Sequence, residues 1–291
     1  MSNISNTNHI SGEIPAKQAG VVFGFEEFWP KVYAQFKGLF DAIADLGRLG
    51  DAMVKTAEES AAEPVKNVIC ALTRATMAGA CEAVLLCGNG CGTGAIKIVR
   101  GMYESRWTAE YLRRHPEEVE DYLEFSKVTL WRRIHWLQEN SPGDGNRVSA
   151  EEMKRMKNDY NQAKARFKNE LSWSKKSIRE IAVEIGRTKE YELPYAIACS
   201  IHHANFEGLS ALFTSDNGET IPNPPPSEAW VKTALISTHA NLWFAFGTLN
   251  DSCGLDFRER LDATQQAFSR TWKEQRPDSE ELKEKLRGGA E

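Results

Sequence analysis

Cysteine is scarce: Cys70, Cys81, Cys87, Cys91, Cys199 and Cys253 are spread over 291 residues. That density excludes a disulfide scaffold and leaves reduced, mostly buried thiols as the expectation. A surplus of positive charge is also missing, since 36 Lys and Arg face 41 Asp and Glu for a net charge of -5. Coating nucleic acid or an anionic membrane usually requires a basic excess. Residues 1–20 are rich in Ser, Asn, Thr and Gly and have no cationic start followed by an apolar run, so no secretory signal is read there and a disordered lead is expected. The longest uncharged run, Thr233 to Asn250, contains His239, Asn241, Ser237 and Asn250. A lipid-exposed helix would bury all of these polar groups, so a helix buried in protein is expected, with no membrane span and a cytoplasmic location.

Short alternating Val/Ile/Thr runs are nearly absent, whereas apolar residues recur at three and four almost throughout. The expectation is an all-α fold, an antiparallel bundle of roughly seven to nine helices. A first helix over about Pro30–Ala61 carries Val32, Leu39, Phe40, Ile43 and Met53 on one stripe, and Pro64 opens a second that ends at the glycine cluster Gly88–Gly94. A third runs from about Ala95 to Arg114, and Pro116 opens a fourth that stops at Ser141-Pro142-Gly143. Ser149 with Glu152 and Ser177 with Glu180 are capping boxes for two further helices. Long helices are expected over about Lys189–Ser215 and Ser227–Ser252, separated by the loop Thr220–Pro226, and a short amphipathic piece over Phe257–Trp272. The whole reads as one helical domain over 25–273, with a polar, basic excursion at about 143–188 and a charged tail over 274–291.

Several motifs suggest chemistry. Gly90, Gly92 and Ala95 stand in the places of a dinucleotide loop, but the preceding apolar residues follow a helical period and no second strand is in sight, so a helix-to-helix turn is expected. Cys81, Cys87 and Cys91 lack the spacing of a zinc ribbon or finger, and no metal site is expected. Between Glu151 and Glu180, nine basic residues face five acids, interleaved with Tyr160, Phe167 and Trp173. Such a surface suits single-stranded nucleic acid or an acidic partner, yet it also describes a solvated amphipathic helix, and nucleic acid is the weaker reading.

The constellation with most promise is polar residues on apolar helices. Arg100 and Glu104 stand one turn apart; His202, His203, Asn205 and Glu207 follow on a late helix, with His203 and Glu207 again four apart; His239 and Asn241 lie on the next. Converging faces would form a structural network, a ligand pocket or, least favoured, a His/carboxylate metal site.

The runs Ile98-Val99-Arg100-Gly101-Met102-Tyr103-Glu104 and Ser177-Ile178-Arg179-Glu180-Ile181-Ala182, with Tyr191, Tyr195 and Ile201-His202 beyond them, resemble a bacterial family of unknown function, number 5677 among the domains of unknown function, over about Val65–Thr248. The resemblance implies an all-α fold, an Arg and Glu one turn apart on an early helix, tyrosines and a Val/Ile-His further on, and no established activity. By analogy, such domains invite comparison with RNA-cleaving helical families of toxin and antiphage systems, whose histidine follows an Arg by a fixed short spacing. None of the six histidines here has an Arg at that spacing. The favoured expectation is a pocket for a small anionic ligand built from Arg100, Glu104, Tyr195, His202, His203, Asn205 and His239, with reaction and cofactor unassigned. The alternative is a non-enzymatic interaction or homodimerisation module.

Overall fold

A computed structural model describes residues 25, 27–60, 63–141, 148–167, 172–210, 212–216, 219–222 and 226–274. The expected disordered lead, and the charged tail from 275 on, lie outside the described residues. The fold is all-α. Helix α1 spans Trp29–Ser60, α2 Pro64–Gly88, α3 Gly92–Arg114 and, after a 3-10 turn at Pro116–Glu118, α4 covers Val119–Asn140. Then come α5 (Ala150–Lys164), α6 (Ile178–Glu184), the single turn α7 (Thr188–Glu190), a π-helical turn at Tyr191–Tyr195, α8 (Ala196–His202) and α9 (Phe206–Ser210). Strands β1 (Phe213–Asp216) and β2 (Glu219–Pro222) form an antiparallel hairpin pairing Phe213 with Pro222 and Asp216 with Glu219. Helices α10 (Val231–Cys253) and α11 (Arg258–Glu274) complete the described chain.

The central helix is α10, packed against α1, α2 and α3. The uncharged run sits here, with Ala234, Leu235, Leu242, Phe246 and Leu249 buried, as its polar content implies. The helix α2 meets the length and composition needed to cross a membrane, although it packs against α1, α3 and α10. The α1 stripe is buried as its period requires, and Phe36 has non-helical dihedrals that kink the helix. Both capping boxes form: the Ser149 and Ser177 hydroxyls accept from the amides of Glu152 and Glu180, whose carboxylates accept in return from the cap amides.

The glycine cluster makes a helix-to-helix turn. Gly90 adopts φ +66 and its carbonyl accepts from the Ser227 amide at 3.0 Å, while a Cβ on Gly92 would lie 2.2 Å from the Ala229 carbonyl oxygen. The glycines therefore let the segment before α10 close onto the α2–α3 corner, and α3 begins at Gly92 rather than near Ala95.

The single late helix expected over Lys189–Ser215 is not formed. Pro194 has no N–H to donate and its ring crowds the carbonyl a turn back, and here the chain widens into the π turn. After His203, Ala204 takes a left-handed φ of 51 and ends α8. Asn205 Oδ1 then accepts from the Gly208 amide at 2.8 Å, starting α9 as an N-cap does. Part of the expected proline loop pairs instead as β2. The basic excursion divides in two: α5 packs with α4 as a helical hairpin, stacking Tyr160 on Trp131, while α6 docks on α3.

Candidate functional site

The faces of α3 and of the π turn with α8 meet around Arg100. Tyr195, Cys199 and His202 fall at a four-then-three spacing on one face of the second element, and Arg100 and Glu104 share a face on the first. The Arg100 guanidinium pairs with Glu104 at 2.7 Å through Nη2 and donates through Nε to Cys199 Sγ at 3.3 Å. The Tyr195 hydroxyl donates to Glu104 Oε1 at 2.6 Å, and its ring lies under the guanidinium at 5.8 Å. Two of the three guanidinium nitrogens are thus held from both elements. Nη1 has no hydrogen-bond partner among the described residues, and the side chain keeps 23% exposure.

Burial and the neighbouring Glu104 carboxylate push the Tyr195 phenol far up, so it remains a neutral donor. His202 is exposed at the rim with its ring against His203 at 5.0 Å. Its pKa is lowered by desolvation and by the positive charges of Arg100, His203 and Lys97. Among the described residues named at this corner, the Glu104 carboxylate faces Lys97 and Arg100, with the His202 and His203 imidazoles adjoining.

The other expected members sit elsewhere or do another job. Asn205 caps α9 and donates to Ser200 Oγ at 3.2 Å, so it shapes the turn after His203. The His203–Glu207 spacing does not span a helical turn because Ala204 breaks the helix, and the Glu207 side chain lies outside the described residues. His239 does not join the site: it is fully buried on α10, stacked on Phe268 of α11 at 3.7 Å with planes 5° apart. Both its ring nitrogens are buried without a partner among the described residues, and desolvation brings its pKa down to about 4. Asn241, two residues on, points toward α3 instead.

There it meets a charged cluster that spacing alone did not single out. Arg106, 1% exposed, donates through Nε to Asn241 Oδ1 at 2.8 Å and pairs with Glu190. Arg187 bridges Glu190 at 3.3 Å and Glu110 at 3.2 Å, and Glu110 also binds Arg114 at 2.6 Å. The guanidinium of Arg106 is packed among the rings of Tyr103, Trp107 and Phe244. The available signal was Arg106, Glu110 and Arg114 at successive spacings of four, the pattern already used for Arg100 and Glu104. This cluster ties α7 to α3 immediately before the π turn that carries Tyr195.

Of the basic segment, Arg166 pairs with Glu120 and Asp121, Lys176 with Glu184, and Arg179 with Glu192. Three of its nine basic residues are thus ion-paired within the chain.

A family model described as a family of unknown function, DUF5677, matches residues 66–220. The chain belongs to that family. Arg100, Glu104, Tyr195, Cys199 and His202 all lie inside the span matched to the family, as do Arg106 and Glu190, whereas His239 and Asn241 lie beyond it. No curated protein and no solved structure matches the chain.

Proposed function

We propose that this is a bacterial cytoplasmic protein whose α3–α8 corner binds a small anionic ligand, with Arg100 as the anchor and His202 at the rim as a hydrogen-bonding or proton-transferring group. The observation that carries this reading is the state of Arg100: two nitrogens fixed from two elements, the third uncommitted, and Lys97 and His202 beside it. A guanidinium held in this way is preorganised, and its Nη1 N–H groups are placed to donate charge-assisted hydrogen bonds to a carboxylate or phosphate oxygen.

Inorganic pyrophosphate titrated into the full-length protein by calorimetry tests it. Arg100→Gln is expected to weaken binding about tenfold or more, the loss of one charge-assisted contact. His202→Ala is expected to weaken it less, and both variants keep a melting temperature close to wild type because the Arg100–Glu104 pair is partly exposed. Equal affinity in wild type and Arg100→Gln overturns the reading.

A second reading, an interaction or dimerisation module, is favoured by the α4–α5 hairpin, where Leu130 and Trp136 are 47% and 58% exposed. A monomer by light scattering at high concentration argues against it.

A further inference from the structure

Basic and aromatic side chains that the α3–α8 corner does not use meet on the α4–α5 hairpin. An open groove of about 960 Å³ runs along α4 from Thr129 to Glu139 and includes Tyr160 of α5. Within it the Trp131 indole stacks on the Tyr160 ring at 5.8 Å, with planes 25° apart. Trp136, also in the groove, is 58% exposed and makes no ring contact among the described residues. An indole this open has a π-face available to a flat partner.

The groove is locally cationic although the chain carries a net charge of -5. Arg132 and Arg133 line it against one carboxylate, Glu139, which lies 3.4 Å from His135 Nδ1. Arg133 is exposed and forms no ion pair among the described residues. On the α5 side the Lys164 ammonium sits over the Tyr160 ring at 4.9 Å. Positive charge calls for an anionic partner, and the open indole calls for a flat one. An acidic peptide brings carboxylates without the rings, and a duplex keeps its bases stacked inside. A single strand brings phosphates and exposed bases together. From Thr129 to Glu139 the helix rises about 15 Å, room for about four nucleotides at a stacked rise of about 3.4 Å.

We propose that the α4–α5 groove binds single-stranded nucleic acid, with Trp136 stacking on a base and Arg133, beside Arg132, contacting phosphate. The site is separate from the Arg100 corner and does not rest on the reading of that corner.

Fluorescence anisotropy of a labelled oligouridylate, about twelve nucleotides long, titrated with the full-length protein tests it. Binding is expected to weaken as salt rises, by a log–log slope of about -0.7 for each phosphate neutralised. Arg133→Gln is expected to make that slope shallower by about 0.7. Trp136→Ala is expected to weaken binding about tenfold at every salt concentration with the slope unchanged, and Trp136→Phe to recover most of the loss. Both side chains are exposed, so the variants keep a melting temperature close to wild type. Arg100→Gln is expected to leave strand binding unchanged; a loss as large as that of Trp136→Ala assigns the strand to the α3–α8 corner and overturns the groove. Affinity indifferent to Trp136→Ala, or equal affinity for a duplex of the same length, also overturns the proposal. Displacement of the strand by polyglutamate as readily as by unlabelled oligouridylate replaces it with an acidic protein partner. A dimer by light scattering that Trp136→Ala converts to a monomer replaces it with a second copy of the chain.

Discussion

The His239 ring lies flat on Phe268 with both nitrogens out of water and, among the described residues, unpartnered. A neutral imidazole always keeps one N–H and one acceptor, so this position holds two unsatisfied polar atoms in an otherwise apolar contact. Replacing a buried, unsatisfied polar group by an apolar one of similar size is neutral or stabilising, and His239→Leu is expected to raise stability by about 1 kcal/mol at pH 7. The ring also gives stability a pH dependence. Its pKa falls from 6.5 in the unfolded chain to about 4 when folded, so between these values the unfolded state binds the proton and the folded state does not. The ring's share of stability is complete above about pH 6.5 and is lost as the pH falls toward 4, up to about 3 kcal/mol in all. Urea midpoints at pH 7 and pH 4.5 test this, with a shallower acid loss expected in His239→Leu; a less stable variant at pH 7 would show that the ring is well satisfied.

Arg106 poses a different case, a buried charge that has its counter-ion, although its Nη1 has no hydrogen-bond partner among the described residues. Burial lowers its pKa, and the Glu190 carboxylate opposes that effect. Glu190→Ala strands the guanidinium and is expected to cost about 3–5 kcal/mol, whereas Glu192→Ala, which breaks the exposed pair with Arg179, costs less than about 1 kcal/mol. Thermal melts of the two neighbouring variants compare them directly. Arg100 and Glu104 were legible in the sequence because both stand on one helix. Glu190 was not, because its partner lies 84 residues away and no local period encodes such a contact. Cys199 is indistinguishable in the sequence from the other thiols, since its neighbour Arg100 comes from a different element.

At the scale of elements, the helices that local chemistry specifies were legible. Pro64 at the start of α2 and the two capping boxes mark their termini in the structure as they do in the sequence. The late segment was misread because apolar residues keep a helical period across Pro194 and Ala204, whereas the backbone does not. Glycines separate by the same logic of local room. Gly101, on α3, has no atom within 4 Å of an added Cβ, and Gly101→Ala is expected to stabilise by roughly 0.5–1 kcal/mol by lowering the entropy of the unfolded chain. Gly92, at the start of the same helix, faces the Ala229 carbonyl and the Val231 amide nitrogen at 2.2 and 2.6 Å, and backbone has no alternative rotamer. Gly92→Ala is expected to force α3 off the segment that leads into α10, destabilising by a few kcal/mol. Calorimetric melting of both variants should move in opposite directions, and a neutral Gly92→Ala would mean that this corner adjusts freely.

Across the whole molecule, contacts are distributed unevenly, and that predicts an order of opening. Helices α1, α2, α3 and α10 bury one continuous core, with Leu39, Ile69, Trp107, Leu235 and Phe246 among its fully covered side chains. The α4–α5 hairpin is held mainly by its own contacts, with Val128 and Trp131 buried within it and Leu130 and Trp136 left exposed. Regions with little buried apolar contact open sub-globally, at a free energy well below that of complete unfolding. Amides of the distal half of α4 and of α5 are therefore expected to exchange with solvent deuterium orders of magnitude faster than those of α3 and α10, and to do so without a change in the core. The candidate site lies between these extremes, because α3 is a core helix while the π turn and α8 are tied to it by Glu190 and by the Tyr195–Glu104 bond. Glu190→Ala should consequently accelerate exchange over residues 188–202 more than over α4 and α5. If it accelerates all three regions equally, the Arg106 cluster acts as a general core element; if it is selective, the cluster sets how firmly the face carrying Tyr195, Cys199 and His202 is held against Arg100.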